Sequence, residues 1–144
     1  MIYKKFDPRL KIVTKTVDTP VVNNSIVLVD ATGLSFPIGA NEIWYVMTVI
    51  LVETTAAADF RNDWTKPVGC FGRHLYGSTE TELMDTDTDL LHGCSTGDDL
   101  TVMPALFVNG ATPGTVQFRF AQVAADISDT KILTGSSLIC FRLK

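Results

Sequence analysis

The apolar positions of this chain fall at strand spacing, in short blocks separated by Gly, Pro, Asn and Asp turn signals. Val116, Phe118 and Phe120 alternate with Gln117 and Arg119, the period-two pattern of a strand with one wet face. Ser25–Asp30 is a short apolar run between turn residues, so it predicts a strand. Leu34, Phe36 and Ile38 alternate around Pro37, which confines that segment to a sheet edge or an irregular lead-in. Lys11–Val17, Ala57–Val68 and Leu100–Asn109 are further candidate strands, with a turn or bulge expected at Asn62-Asp63.

Two runs are apolar on both faces. Ile43–Val52 carries no charge; Ile43, Tyr45, Met47, Val49 and Leu51 alternate with Trp44, Val46, Thr48, Ile50 and Val52. Ser137–Leu143 sets Leu138 and Cys140 against Ile139, Phe141 and Leu143. A strand greasy on both sides must be covered on both sides. These two strands are therefore expected in one inner sheet, covered by the domain's own core on one side and by a second subunit on the other. The interface is expected to use Trp44, Val46, Ile50, Ile139 and Phe141. Seven or eight short strands and no helical periodicity predict an all-β fold, an antiparallel β-sandwich of the jelly-roll type.

Two stretches break the pattern. Residues 1–20 hold Lys4, Lys5, Arg9, Lys11 and Lys15, five of the chain's 12 basic residues, with Pro8 and Pro20. They are expected to form an arm, leaving residues 21–144 as the jelly-roll domain. Residues 70–99 are polar and rich in Gly, Thr and Asp, and predict a long loop insertion, with a short helix near Glu80–Leu91 as its one candidate element.

Composition narrows the function classes. With 46% hydrophobic and 19% charged residues, 144 positions suit one packed domain. A net charge of −4 argues against nucleic acid as the partner. No run approaches the roughly 20 apolar residues of a membrane helix, and the N-terminus lacks the apolar core of a signal peptide, so a cytoplasmic setting is expected. The 3 cysteines are too few for a disulfide framework; Cys140 is expected to be a small buried hydrophobe.

Candidate chemistry is thin. Cys70, His74, His92 and Cys94 offer zinc-type ligands at a spacing that is not a standard finger. Asp85, Asp87 and Asp89 alternate as calcium ligands do, but Leu90 and Thr96 stand where an EF-hand needs Gly and Glu. Neither a nucleophile elbow nor a phosphate loop is present, so no catalytic residue, metal or cofactor is assigned. Trp44 and Trp64 could form a sugar platform; burial is the stronger expectation for large aromatics.

Leu34–Trp44 (LSFPIGANEIW), Gly114–Gln122 (GTVQFRFAQ) and Asp129–Ser136 (DTKILTGS), with Leu138 and Arg142, resemble a family of small tailed-bacteriophage virion proteins. These are similar to the trimeric jelly rolls of the tumour-necrosis-factor and C1q type, used as capsid decoration (cement) proteins or as head-fibre and tail-fibre tips. The resemblance covers roughly residues 20–144; the 69–99 segment departs from it. It implies a non-enzymatic homotrimer on the outer capsid surface of a virion assembled in a host cytoplasm, stabilising neighbouring copies of the major capsid protein. The arm residues Tyr3, Lys4, Lys5, Phe6, Arg9 and Lys11 would then meet the shell. The alternative on the same fold is a receptor- or glycan-binding fibre tip using the 70–99 loop.

Overall fold

The structure, a computed structural model, describes residues 9–76, 80–83, 90–92 and 97–144, with backbone alone for the described residues between 74 and 99. Eleven strands follow in chain order: β1 (Leu10–Thr14), β2 (Val29–Ile38), β3 (Ile43–Thr54), β4 (Phe60–Thr65), β5 (Phe71–Tyr76), β6 (Glu80–Leu83), β7 (Leu90–His92), β8 (Gly97–Val108), β9 (Gly114–Ala121), β10 (Lys131–Ile132) and β11 (Ser137–Arg142).

The strands form two antiparallel sheets. The first has the order β1-β11-β3-β8-β5-β6, with β10 pairing the far end of β3; the second has the order β2-β9-β4-β7. Along the chain the long strands alternate between sheets, which is the connectivity of a jelly-roll sandwich. β3 and β11 are neighbours, Ile139 opposite Met47 and Cys140 opposite Val46, as their shared two-faced pattern predicts.

Inward alternation builds the core. β2 contributes Leu34, Phe36 and Ile38, β3 contributes Trp44, Val46, Ile50 and Val52, and β9 contributes Val116, Phe118 and Phe120, all buried. Aromatic rings interlock across the gap between sheets. Phe36 lies 5.5 Å from Trp44 and 5.8 Å from Phe107, and Trp64 lies 5.2 Å from Phe107; within the second sheet Trp64 also packs 4.9 Å from Phe118. Offset and edge-on pairs at these separations add to the burial of the rings themselves.

Several expectations are corrected. The described residues of Glu80–Leu91 are not helical: Glu80–Leu83 and Leu90–His92 are strands, and Phe71–Tyr76 extends the first sheet beyond β8. β6 pairs with β5 and β7 with β4, and this pairing outweighs the weak helical spacing of Leu83, Leu90 and Leu91. Asn62-Asp63 is neither turn nor bulge. β4 runs straight through it in register with β9, and the four-residue spacing of Phe60 and Trp64 puts both on the inward face. Ser25–Asp30 pairs only from Val29, because the carbonyls of Ile26 and Leu28 accept side-chain hydrogen bonds from Arg61 and Arg119 instead of strand partners. The candidate strand Lys11–Val17 is present as Leu10–Thr14, paired with β11, so that part of the expected arm belongs to the sandwich.

Candidate functional site

The first sheet has a solvent-facing side that does not look like one. Partners across an antiparallel ladder share a face. Leu10, Phe141, Tyr45 and Leu106 therefore form one transverse row, and Ile12, Ile139, Met47 and Pro104 the next. Val49 beside Val102 and Leu51 beside Leu100 continue the face toward the far end of β3. None of these residues is charged. Ile12 is 54% exposed, Leu100 57% and Val102 51%, in the single chain.

At about 4.8 Å per strand and 3.3 Å per residue, this face projects to roughly 500 Å². That is in the upper part of the range for the largest apolar patch on a soluble monomer, and patches of this size are often functional. The outer side of the second sheet is different. It shows Asp63, Thr65, Gln117 and Arg119, with Arg119 paired to Asp30 at 3.4 Å. One side of the sandwich is dressed for water and the other is not.

The expected interface residues divide between inside and outside. Ile139 and Phe141 lie on the apolar outer face. Trp44, Val46 and Ile50 do not; they are buried in the chain's own core and could meet a partner only if the sandwich opened. The outer side of β3 is Ile43, Tyr45, Met47, Val49 and Leu51. Period two cannot say which of two apolar faces points in. The available signal was Tyr45, whose hydroxyl favours the wetter side.

Polar groups fix the ends of this face. At the end holding Ile43, the Glu42 carboxylate accepts hydrogen bonds from Gly39 N (2.7 Å) and Trp44 Nε1 (2.8 Å), and from Arg142 at 3.0 Å. Burial pushes the Glu42 carboxyl up, but these bonds, Trp44's foremost, outweigh it and hold the group below its ordinary value. A Cβ at Gly39 would stand 2.8 Å from the Glu42 side chain, so only glycine leaves room for this arrangement. At the opposite end Lys131 bridges Glu53 (3.3 Å) and Asp18 (3.7 Å). Asp18 also accepts from the Thr134 backbone at 2.8 Å and its hydroxyl at 2.9 Å, which lower its pKa.

The remaining candidates are scattered. Tyr3, Lys4, Lys5 and Phe6 lie outside the described residues. Arg9 hydrogen-bonds through its carbonyl to Arg142 N, and Lys11 pairs with Cys140 on β1. Cys70 is buried; His74 is on β5 in the first sheet and His92 on β7 in the second. Cys94 and Asp85, Asp87 and Asp89 fall outside the described residues. Among the described residues no cluster of His, Cys, Asp or Glu could hold a metal, and no helix is long and apolar enough to cross a membrane. Trp44 and Trp64 are core, not an exposed platform. Cys140 is a buried thiol whose pKa burial pushes up to about 12, which makes it a poor nucleophile.

No family model matches the chain, and no curated protein does. A solved structure of infectious bursal disease virus, Gx strain, aligns at 12% identity over 99% of this chain and 46% of that one, with a TM-score of 0.29. A likeness this loose carries no argument about function.

Proposed function

We propose that the chain is a structural virion protein, a homotrimeric bacteriophage decoration protein that binds the outer capsid surface and stabilises neighbouring major capsid proteins. The observation that supports self-association is the uncharged outer face of β1, β11, β3 and β8. Burying it against copies of itself removes roughly 500 Å² per chain from water, at about 25 cal/mol per Å² of apolar area. Standard interfaces take about 800 Å² per partner, so the rows above form the greater part of one. The capsid role rests on the sequence resemblance, with which the jelly-roll connectivity agrees. Such a protein acts by mass action, binding the assembled lattice and not its free subunits.

The test is the particle itself. Mass spectrometry of purified virions should find the chain in fixed ratio to the major capsid protein, and electron cryomicroscopy should place three-fold density on the outer surface. Deleting residues 1–8, which precede β1, should leave the trimer intact and abolish decoration. A chain absent from purified particles would overturn the virion reading; decoration at full affinity after the deletion would overturn the arm.

A further inference from the structure

Apolar exposure on the first sheet does not stop at its outer face. Ile12 of β1 belongs to that face, and β1 is also the border strand of the sheet. The chain then keeps to this border: Thr19 N donates to Ile132 O, and Val22 exchanges backbone bonds with Thr130. Beneath it runs β2, the border strand of the second sheet, with Lys15 Nζ donating to Thr32 O across the seam at 2.5 Å. Along this edge Val17 is 68% exposed and Val21 51%. An apolar stripe therefore turns the corner from the outer face, through Ile12, onto the side of the sandwich.

The same edge holds a cleft of about 160 Å³, walled chiefly by Pro20, Val21, Val22, Val29 and Phe120. Small-molecule pockets run to roughly 300–1,000 Å³, so this one has room for an apolar side chain and not for a ligand. The charged groups beside it are already engaged. Asp30 pairs with Arg119 at 3.4 Å, Lys15 holds Thr32 O, and Asp18 holds Thr134 and Lys131. A partner covering the edge would strand none of these three charges.

Symmetry decides what such an edge is for. Two copies meeting outer face to outer face make an isologous contact and close as a pair. Three copies closing in a ring make a heterologous contact, in which one patch of each chain meets a different patch of the next. Three sheets turned toward one axis would touch only along their borders and leave the faces uncovered. On the homotrimer reading, on which this rests, we infer that the edge formed by residues 12–22 and β2 seats on the outer face of the neighbouring copy, with an apolar side chain of that face entering the cleft. Leu100, Val102 and Phe141 are the exposed side chains there of a size the cleft admits. The outer face alone reaches roughly 500 Å², against about 800 Å² per partner for a standard interface, and the stripe that continues it past Ile12 extends it toward that size.

Light scattering after size exclusion on the full chain tests the arrangement. Val17→Glu/Val21→Glu changes two side chains that are more than half exposed, so the fold should persist by circular dichroism while the mass falls to a third of the wild-type value. Val21→Lys, of opposite charge, should also dissociate the trimer. Thr65→Glu, on the polar outer face of the second sheet, should stay trimeric. Mixing Val17→Glu/Val21→Glu with Met47→Glu/Val102→Glu should give a two-chain species, because the first keeps a sound face and the second a sound edge; neither should associate alone. Edge variants that remain trimeric, or a mixture that remains monomeric, would overturn the edge assignment and leave the trimer standing. A wild type that runs as a pair or as a single chain would sink the trimer and the edge contact with it.

Discussion

At residue scale, the side chains that matter most sit where alternation runs against polarity. Thr48 points into the core between Val46 and Ile50, fully buried, and its hydroxyl has no hydrogen-bond partner among the described residues. An unpaired buried hydroxyl costs stability that an isosteric methyl would not. Thr48→Val should raise the unfolding free energy by about 1 kcal/mol in urea denaturation. Glu42 behaves oppositely, because its carboxylate has three donors. Glu42→Gln should cost about 1–2 kcal/mol at neutral pH. Since the folded pKa lies below the ordinary carboxylate value, this contribution is present above that value and lost as pH falls through the folded pKa. The gap between wild type and Glu42→Gln should therefore close in acid, as read by denaturation at neutral and low pH. Glu42 could be seen in the sequence only as a break in the pattern. Its partners Gly39, Trp44 and Arg142 meet through the β2–β3 turn and the β11 pairing, which period alone does not reveal.

At the scale of elements, the strands with one clear apolar side were legible. β9 and the Leu34–Ile38 half of β2 point their apolar residues inward as written. β3 and β11 were legible as strands and as neighbours, but not in which side faced the core. Both sides of β3 are equally apolar, and the choice is made by Phe36, whose ring packs against Trp44 and against Phe107, the residue opposite Trp44 on β8. The segment between β4 and β8 was the least legible. Its strands are short and without clear alternation; β5 and β7 form on the open edges of β8 and β4, and β6 pairs in turn with β5. The 24–28 stretch failed for another reason. Arg61 and Arg119 of the second sheet take its carbonyls, Gln122 Oε1 accepts from Ser25 N at 3.1 Å, and the strand ladder begins only afterwards. Arg119→Met should therefore speed amide exchange in residues 25–29 by tenfold or more while lowering global stability by less than about 1 kcal/mol. Loss of protection across β9 and β4 as well would mean that the strap is part of the global core.

At the scale of the molecule, the sandwich is asymmetric. Across its thickness, a polar outer face on β9 and β4 opposes an apolar one on β11, β3 and β8. This asymmetry carries the central proposal, that the apolar face is covered by copies of the same chain. Met47 and Val102 lie on that face in adjacent rows, clear of the core. Met47→Glu/Val102→Glu should thus break the assembly by placing charge in a desolvated contact, while leaving the fold intact. Multi-angle light scattering after size exclusion tests this most directly. The account predicts three times the 15.7 kDa chain mass for the wild type and a single folded chain for the double variant. A wild-type protein that elutes at 15.7 kDa at micromolar concentration, with its outer face open to water, would contradict it.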